Sequence, residues 1–216
     1  MEREMHFPYE EDEAGIIRGR HRTSDASEYL LAEREIVSLA KDVLSEREYL
    51  EAEEVAKQLA GKKSEKDLAR ARLVSLVKPP PKRPIYYAQY EMLFLPRWTR
   101  DALRYLGDFI DMLVKSAVYE KTSDRRVFGS SLGPAINLFQ RYWPGYESLV
   151  DLLQRYNRFL YRGAKHDFTL PANRKAHRFT AREVVLTAFI TMTLADRLST
   201  VSRMAKEARN DKMILR

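Results

Sequence analysis

The chain has 216 residues, with 38 Lys+Arg against 31 Asp+Glu for a formal charge of +7, and it contains no cysteine. Disulfide scaffolds, thiolate metal sites, cysteine nucleophiles and iron–sulfur clusters are thereby excluded. Hydrophobic residues at 44% and aromatics at 11% supply too much apolar surface for a wholly disordered chain, so a packed core is expected.

Residues 1–28 combine the acidic cluster Glu10–Glu13 with Arg18, Arg20 and Arg22 and few aliphatics, which reads as a flexible charged tail. Residues 29–77 form an N-terminal helical region, because apolar residues recur at three and four (Ile36, Leu39, Ala40, Val43; then Val55, Leu59). Ser45-x-x-Glu48 is a capping box with Leu44 and Tyr49 as its hydrophobic staple, so one helix ends and another begins there. Gly61 suits the stop of that second helix, and Ser64–Asp67 the start of a third. Ala52–Val77 fits a helical hairpin packed on the main domain better than a helix-turn-helix, for Asp67, Arg70 and Arg72 leave no clear base-reading face.

Residues 78–97 join a proline-rich linker, Lys78–Pro84, to an aromatic docking segment, Ile85–Leu95, whose short apolar run fits a strand or a helix. From residue 98 to 216 the signals are helical. Thr99 caps a helix stapled by Trp98 and Leu103, and Ser131 opens a short helix closed by Trp143-Pro144-Gly145. A third spans Glu147 to Tyr161, and Thr180-x-x-Glu183, stapled by Phe179 and Val184, opens a last one running to about Ala208. The expected architecture is all-α, a four-helix bundle with an additional N-terminal helical region.

The start of the chain lacks the basic and apolar stretches of a secretory signal. Its longest charge-free runs, Val127–Gln140 and Val184–Ala195, fall short of the roughly 18 apolar residues of a membrane span. A cytoplasmic protein without membrane contact is expected.

The positive charge is local. Residues 151–216 hold 14 Lys+Arg and 6 Asp+Glu, whereas residues 1–150 hold 24 and 25. Such an excess attracts polyanions by counterion release. On an uninterrupted 3.6-residue helix, Arg155, Arg162 and His166 lie along one edge of the apolar stripe Leu149–Leu160, with Arg158 and Lys165 further toward solvent. Guanidinium groups beside an imidazole lower its pKa and hold phosphate, the pairing that RNA cleavage by its own 2′-hydroxyl needs. The bland reading is a solvated arginine face and a helix-capping histidine. His177 and Arg178 sit in a basic connector open to anion contact or plain exposure. Asp108 with Asp111, or Asp196 with Glu183, lacks the paired carboxylate–His spacing of a di-metal bundle, and no metal or cofactor is expected.

The run from Ser131 to Ser199 resembles the HEPN family of helical domains. Ser131-Leu132-Gly133, the helix ending in Tyr161-Arg162-Gly163-Ala164-Lys165-His166-Asp167 and the opening Phe179–Glu183 carry the resemblance. It implies a four-helix bundle, often homodimeric, that serves as a metal-independent ribonuclease in defence and toxin–antitoxin systems or as an inactive binding module. Arg162 and His166 would be its catalytic pair. They are separated by three residues where the family has four to six, and Gly163 replaces the family's polar residue. The expected role is binding of RNA or another polyanion through Arg155, Arg158, Arg162, Lys165, His177 and Arg178. The alternatives are an endoribonuclease, or a non-catalytic scaffold that docks a protein partner through the N-terminal helices.

Overall fold

The computed structural model describes residues 25–77, 83–95, 99–161 and 179–214. Its described residues form an all-helical bundle: α1 (Asp25–Val43), α2 (Glu46–Ala60), α3 (Lys63–Leu76), α4 (Arg83–Met92), α5 (Thr99–Thr122), α6 (Leu132–Tyr142), α7 (Glu147–Tyr156) and α8 (Ala181–Ile214). A 3-10 turn, Arg125–Gly129, follows α5, and a π-helical turn, Asn157–Tyr161, continues α7.

Local chemistry sets the helix ends. Ser45 accepts from the Glu48 amide while the Glu48 carboxylate takes the Ser45 N–H at 2.8 Å, so two orphan donors at the start of α2 are satisfied. Thr180 and Glu183 repeat this at α8, the Thr180 N–H donating to Glu183 at 2.6 Å. Phe179 and Val184, expected as its staple, are both buried. Gly61 ends α2 as expected, but in extended backbone. The third helix starts at Lys63, because the Glu65 carboxylate reaches back to the Lys62 N–H at 2.7 Å. That carboxylate lies 1.8 Å from where a Cβ at Gly61 would stand.

The ambiguous aromatic segment is helical. α4 buries Ala88 and Met92, and the turn after it buries Leu95. The Gln89 side-chain amide donates to the Val74 and Val77 carbonyls and ties α4 to the end of α3, while the Arg70 guanidinium donates to the Leu95 carbonyl. Tyr86, Tyr87 and Tyr90 stay about half-exposed.

α5 and α8 form the central pair. α5 packs on α4, α6 and α8, and α8 also receives α1, α2 and α3, so the helices before and after Lys78–Pro84 share one core. Within it, the Tyr156 hydroxyl of α7 and the Thr191 hydroxyl of α8 hydrogen-bond at 2.8 Å, fully out of water. Burial raises the Tyr156 pKa, which keeps the hydroxyl neutral and able to donate. The stretch Ala181–Met204 of α8 has the length and hydropathy of a membrane span, and 67% of its 18-residue apolar window is buried inside the bundle. α8 ends beyond the expected Ala208, at Ile214.

Candidate functional site

α7 is amphipathic: Leu149, Leu152, Leu153 and Tyr156 face the core, and the opposite face carries Asp151, Gln154 and Arg158 toward solvent. Arg155 lies between the two faces and is engaged. Its Nη1 meets the Asp42 carboxylate of α1 at 2.6 Å, and its Nη2 donates to the Ser38 hydroxyl at 3.1 Å. Asp151, one turn back on α7, is 3.9 Å away. A phosphate would have to displace Asp42 to use this fork, so Arg155 fastens α1 to α7. Arg158 is exposed on the π turn.

The π turn also departs from the period on which the expected basic edge rests. Hydrogen bonding from i to i+5 widens the helix, so each residue advances less around the axis than the α period assumes. The common edge expected for Arg155, Arg162 and His166 rests on uninterrupted 3.6-residue geometry, and that geometry ends at Tyr156. Arg162, Lys165, His166, His177 and Arg178 lie outside the described residues.

Sequence reasoning passed over Arg182, two residues into α8. Its guanidinium holds the Glu53 carboxylate of α2 through Nε and Nη2, the latter at 2.6 Å, and reaches Glu33 of α1 through Nη1. The arginine lowers the Glu53 pKa, and the two carboxylates raise the Arg182 pKa. Beside them, burial and then Glu53 push the Tyr49 hydroxyl up. The one sequence signal was its place after the Thr180 cap; the partners stand 129 and 149 residues away in sequence.

Two grooves lie near these pairs. One, about 580 Å³, runs along α1 and is lined by Glu33, Arg34, Ser38, Lys41, Asp42 and Arg182, a mixture of signs. The other, about 550 Å³, joins Phe109, Phe189 and Met192 to Glu48, Glu51 and Asp196, so its charged lining is acidic and repels a polyanion. Among the described residues no three His, Asp or Glu side chains converge as metal ligands. Asp111 pairs with Lys115 at 2.6 Å, and Glu183 caps α8. The two arginines of α3 are held internally, Arg70 by Asp67 and the Leu95 carbonyl and Arg72 by Glu51.

What this arrangement offers chemically is an exposed guanidinium, Arg158, on a widened turn within a segment rich in basic residues, while Arg155 and Arg182 hold helices together. Compared with models of protein families, with curated proteins and with solved structures, the chain matches none of them.

Proposed function

We propose that the chain binds RNA or another polyanion through its C-terminal basic segment. The observation that carries this reading is the charge division: a near-neutral first 150 residues, and 14 Lys+Arg against 6 Asp+Glu over residues 151–216. Arg158, within that segment, is exposed on the π turn. Its pairing with Asp42 removes Arg155 from the binding set, which leaves Arg158 with Arg162, Lys165, His177 and Arg178. The HEPN resemblance adds RNA as the polyanion, a homodimer as the assembly, and a cytoplasmic role in defence or toxin–antitoxin control.

The test is affinity for a fluorescent RNA as a function of salt. Binding through phosphates makes log K fall linearly with log salt, by roughly 0.7 for each phosphate neutralised on a single strand. Joint neutralisation of Arg158, Arg162, Lys165 and Arg178 should flatten that slope, whereas Arg155→Gln should leave it unchanged. Electrophoresis of the same RNA in the presence of a chelator reads cleavage, which the ribonuclease reading expects to vanish in His166→Ala and Arg162→Ala. Negligible binding at low salt would remove the polyanion reading and bring forward docking of a protein on the exposed tyrosine face of α4.

A further inference from the structure

A second cationic surface lies where α5, the 3-10 turn, α6 and α8 converge, and it is interleaved with rings. Lys121 Nζ, at the end of α5, stands 4.8 Å from the Trp143 ring centre, and the Arg141 guanidinium lies 5.9 Å from that of Tyr142. Tyr119 and Phe128 meet at 5.5 Å, and Trp143 and Tyr146 edge to face at 5.9 Å. The Tyr146 hydroxyl reaches Met204 of α8 at 3.6 Å, which fixes that helix against the same end.

Two features set this surface apart from an ordinary rim. First, its rings are open: Phe128 on the 3-10 turn is 47% exposed and Tyr142 at the end of α6 37%, although their neighbours Val127 and Trp143 are buried. Second, its carboxylates are already engaged. Glu120 pairs with Lys206 at 3.3 Å, Asp124 caps the 3-10 turn and grips Arg126, and Glu147 accepts from the Gly145 N–H. Lys121, Arg125 and Arg141 are exposed and make no ion pair among the described residues. The Trp143 indole N–H is buried without a hydrogen-bond acceptor among them.

Exposed rings among unpaired cations are the components of a single-strand site. Each base has a π-face that stacks on an aromatic ring whatever its identity, while cations follow the backbone between the bases. A duplex keeps its base faces internally stacked and has none to offer. A protein partner is the poorer fit, because the centre of a protein interface is depleted of charge and this surface alternates charge with rings. We infer that this end of the bundle binds single-stranded nucleic acid, with bases stacked on Phe128 and Tyr142 and phosphates held by Lys121, Arg125 and Arg141. The inference shares only its ligand class with the proposed function, since none of these residues belongs to the C-terminal segment.

The experiment uses the full chain with labelled oligothymidylate and oligouridylate of about ten nucleotides, a duplex of equal length, and inorganic polyphosphate as a polyanion without bases. Phe128→Ala with Tyr142→Ala should weaken single-strand binding about tenfold or more and leave polyphosphate binding unchanged. Tyr142→Phe should retain affinity, and unaltered circular dichroism and melting would show that the ring variants fold. Arg125→Gln with Arg141→Gln should weaken every polyanion and flatten the salt dependence. In a Trp98→Phe background the remaining tryptophan, Trp143, should change fluorescence with the oligonucleotide. Equal single-strand affinity in the ring variant and the wild type would overturn the inference and leave the C-terminal polyanion reading standing. Equal affinity for duplex and single strand would overturn it too, as would capture of a protein partner that Phe128→Ala with Tyr142→Ala abolishes while oligonucleotides do not bind. Single-strand binding lost in the ring variant but kept after neutralising the C-terminal segment would reverse that outcome.

Discussion

α8 meets its neighbours in two chemically different ways. Against α5 the seam is apolar: α5 buries Leu106, Phe109, Ile110 and Val114, and Phe109 lies beside Phe189 and Met192 of α8. Against α1 and α2 the apolar stripe Ile36, Leu39, Ala40 and Val43 is edged by charge: Arg182 on Glu33 and Glu53, and Arg197 donating to the Val43 carbonyl at the end of α1. Arg155 supplies a third such clasp from α7. The first seam draws its strength from removal of surface from water and ignores salt. The second adds half-exposed ion pairs, which salt and acid weaken.

The largest effect should come from breaking the apolar seam. Phe109 is 1% exposed, and Phe109→Ala should cost about 3–5 kcal/mol of unfolding free energy in denaturant titration, to the same extent in low and high salt. Tyr156→Phe keeps the ring and removes the hydrogen bond to Thr191. It should cost about 1 kcal/mol, again independent of salt.

The charged edge should behave otherwise. Arg182→Gln should cost about 1 kcal/mol at neutral pH and low salt once solvent screening is counted, and less in high salt. Its pH dependence follows from Glu53, whose folded pKa lies below the unfolded value. The stabilisation is therefore complete above the unfolded carboxylate range and is lost as pH falls through the depressed folded pKa. Wild type and variant should converge in acid; a difference that persists there would show that Arg182 acts through packing alone. Hydrogen exchange in α1 should quicken in the variant while exchange in α5 holds.

The smallest effect sharpens the contrast from a third side. Burial, and then Asp101, raise the Glu91 pKa, and its Oε2 is buried without a hydrogen-bond partner among the described residues. Glu91 thus stabilises the fold fully only below its unfolded pKa, and that contribution is lost as pH rises through the folded value. Glu91→Gln should raise the melting temperature slightly at neutral pH and show no advantage in acid.

Features set within three or four residues were legible in the sequence. The boxes at Ser45 and Thr180 formed as their spacing required, since donor and acceptor belong to the same turn. The apolar stripes of α1, α5 and α7 became the core because periodicity and burial describe the same face. α4 was ambiguous because a short aromatic run satisfies two periods at once, and its contacts with α3 and α5 decide the matter. The candidate site was less readable. That Arg155 belongs to Asp42 depends on a residue 113 positions away, and a π turn leaves no mark on a pattern read at 3.6 residues per turn. The ring-and-cation surface at the end of α5 eluded the sequence for the same reason, as its members come from three separate helices and a turn.

The π turn at Asn157–Tyr161 also makes chain length a variable that the core does not register. It holds one residue more than the α turn it replaces, while Tyr156 just before the widening and Leu160 within it stay buried. Deleting one residue there would let the helix close with the α period at nearly the same total rotation, because four α residues turn the chain about as far as five π residues. The turn is thus a place where the chain can take up or lose one residue while the buried Tyr156 before it keeps its packing.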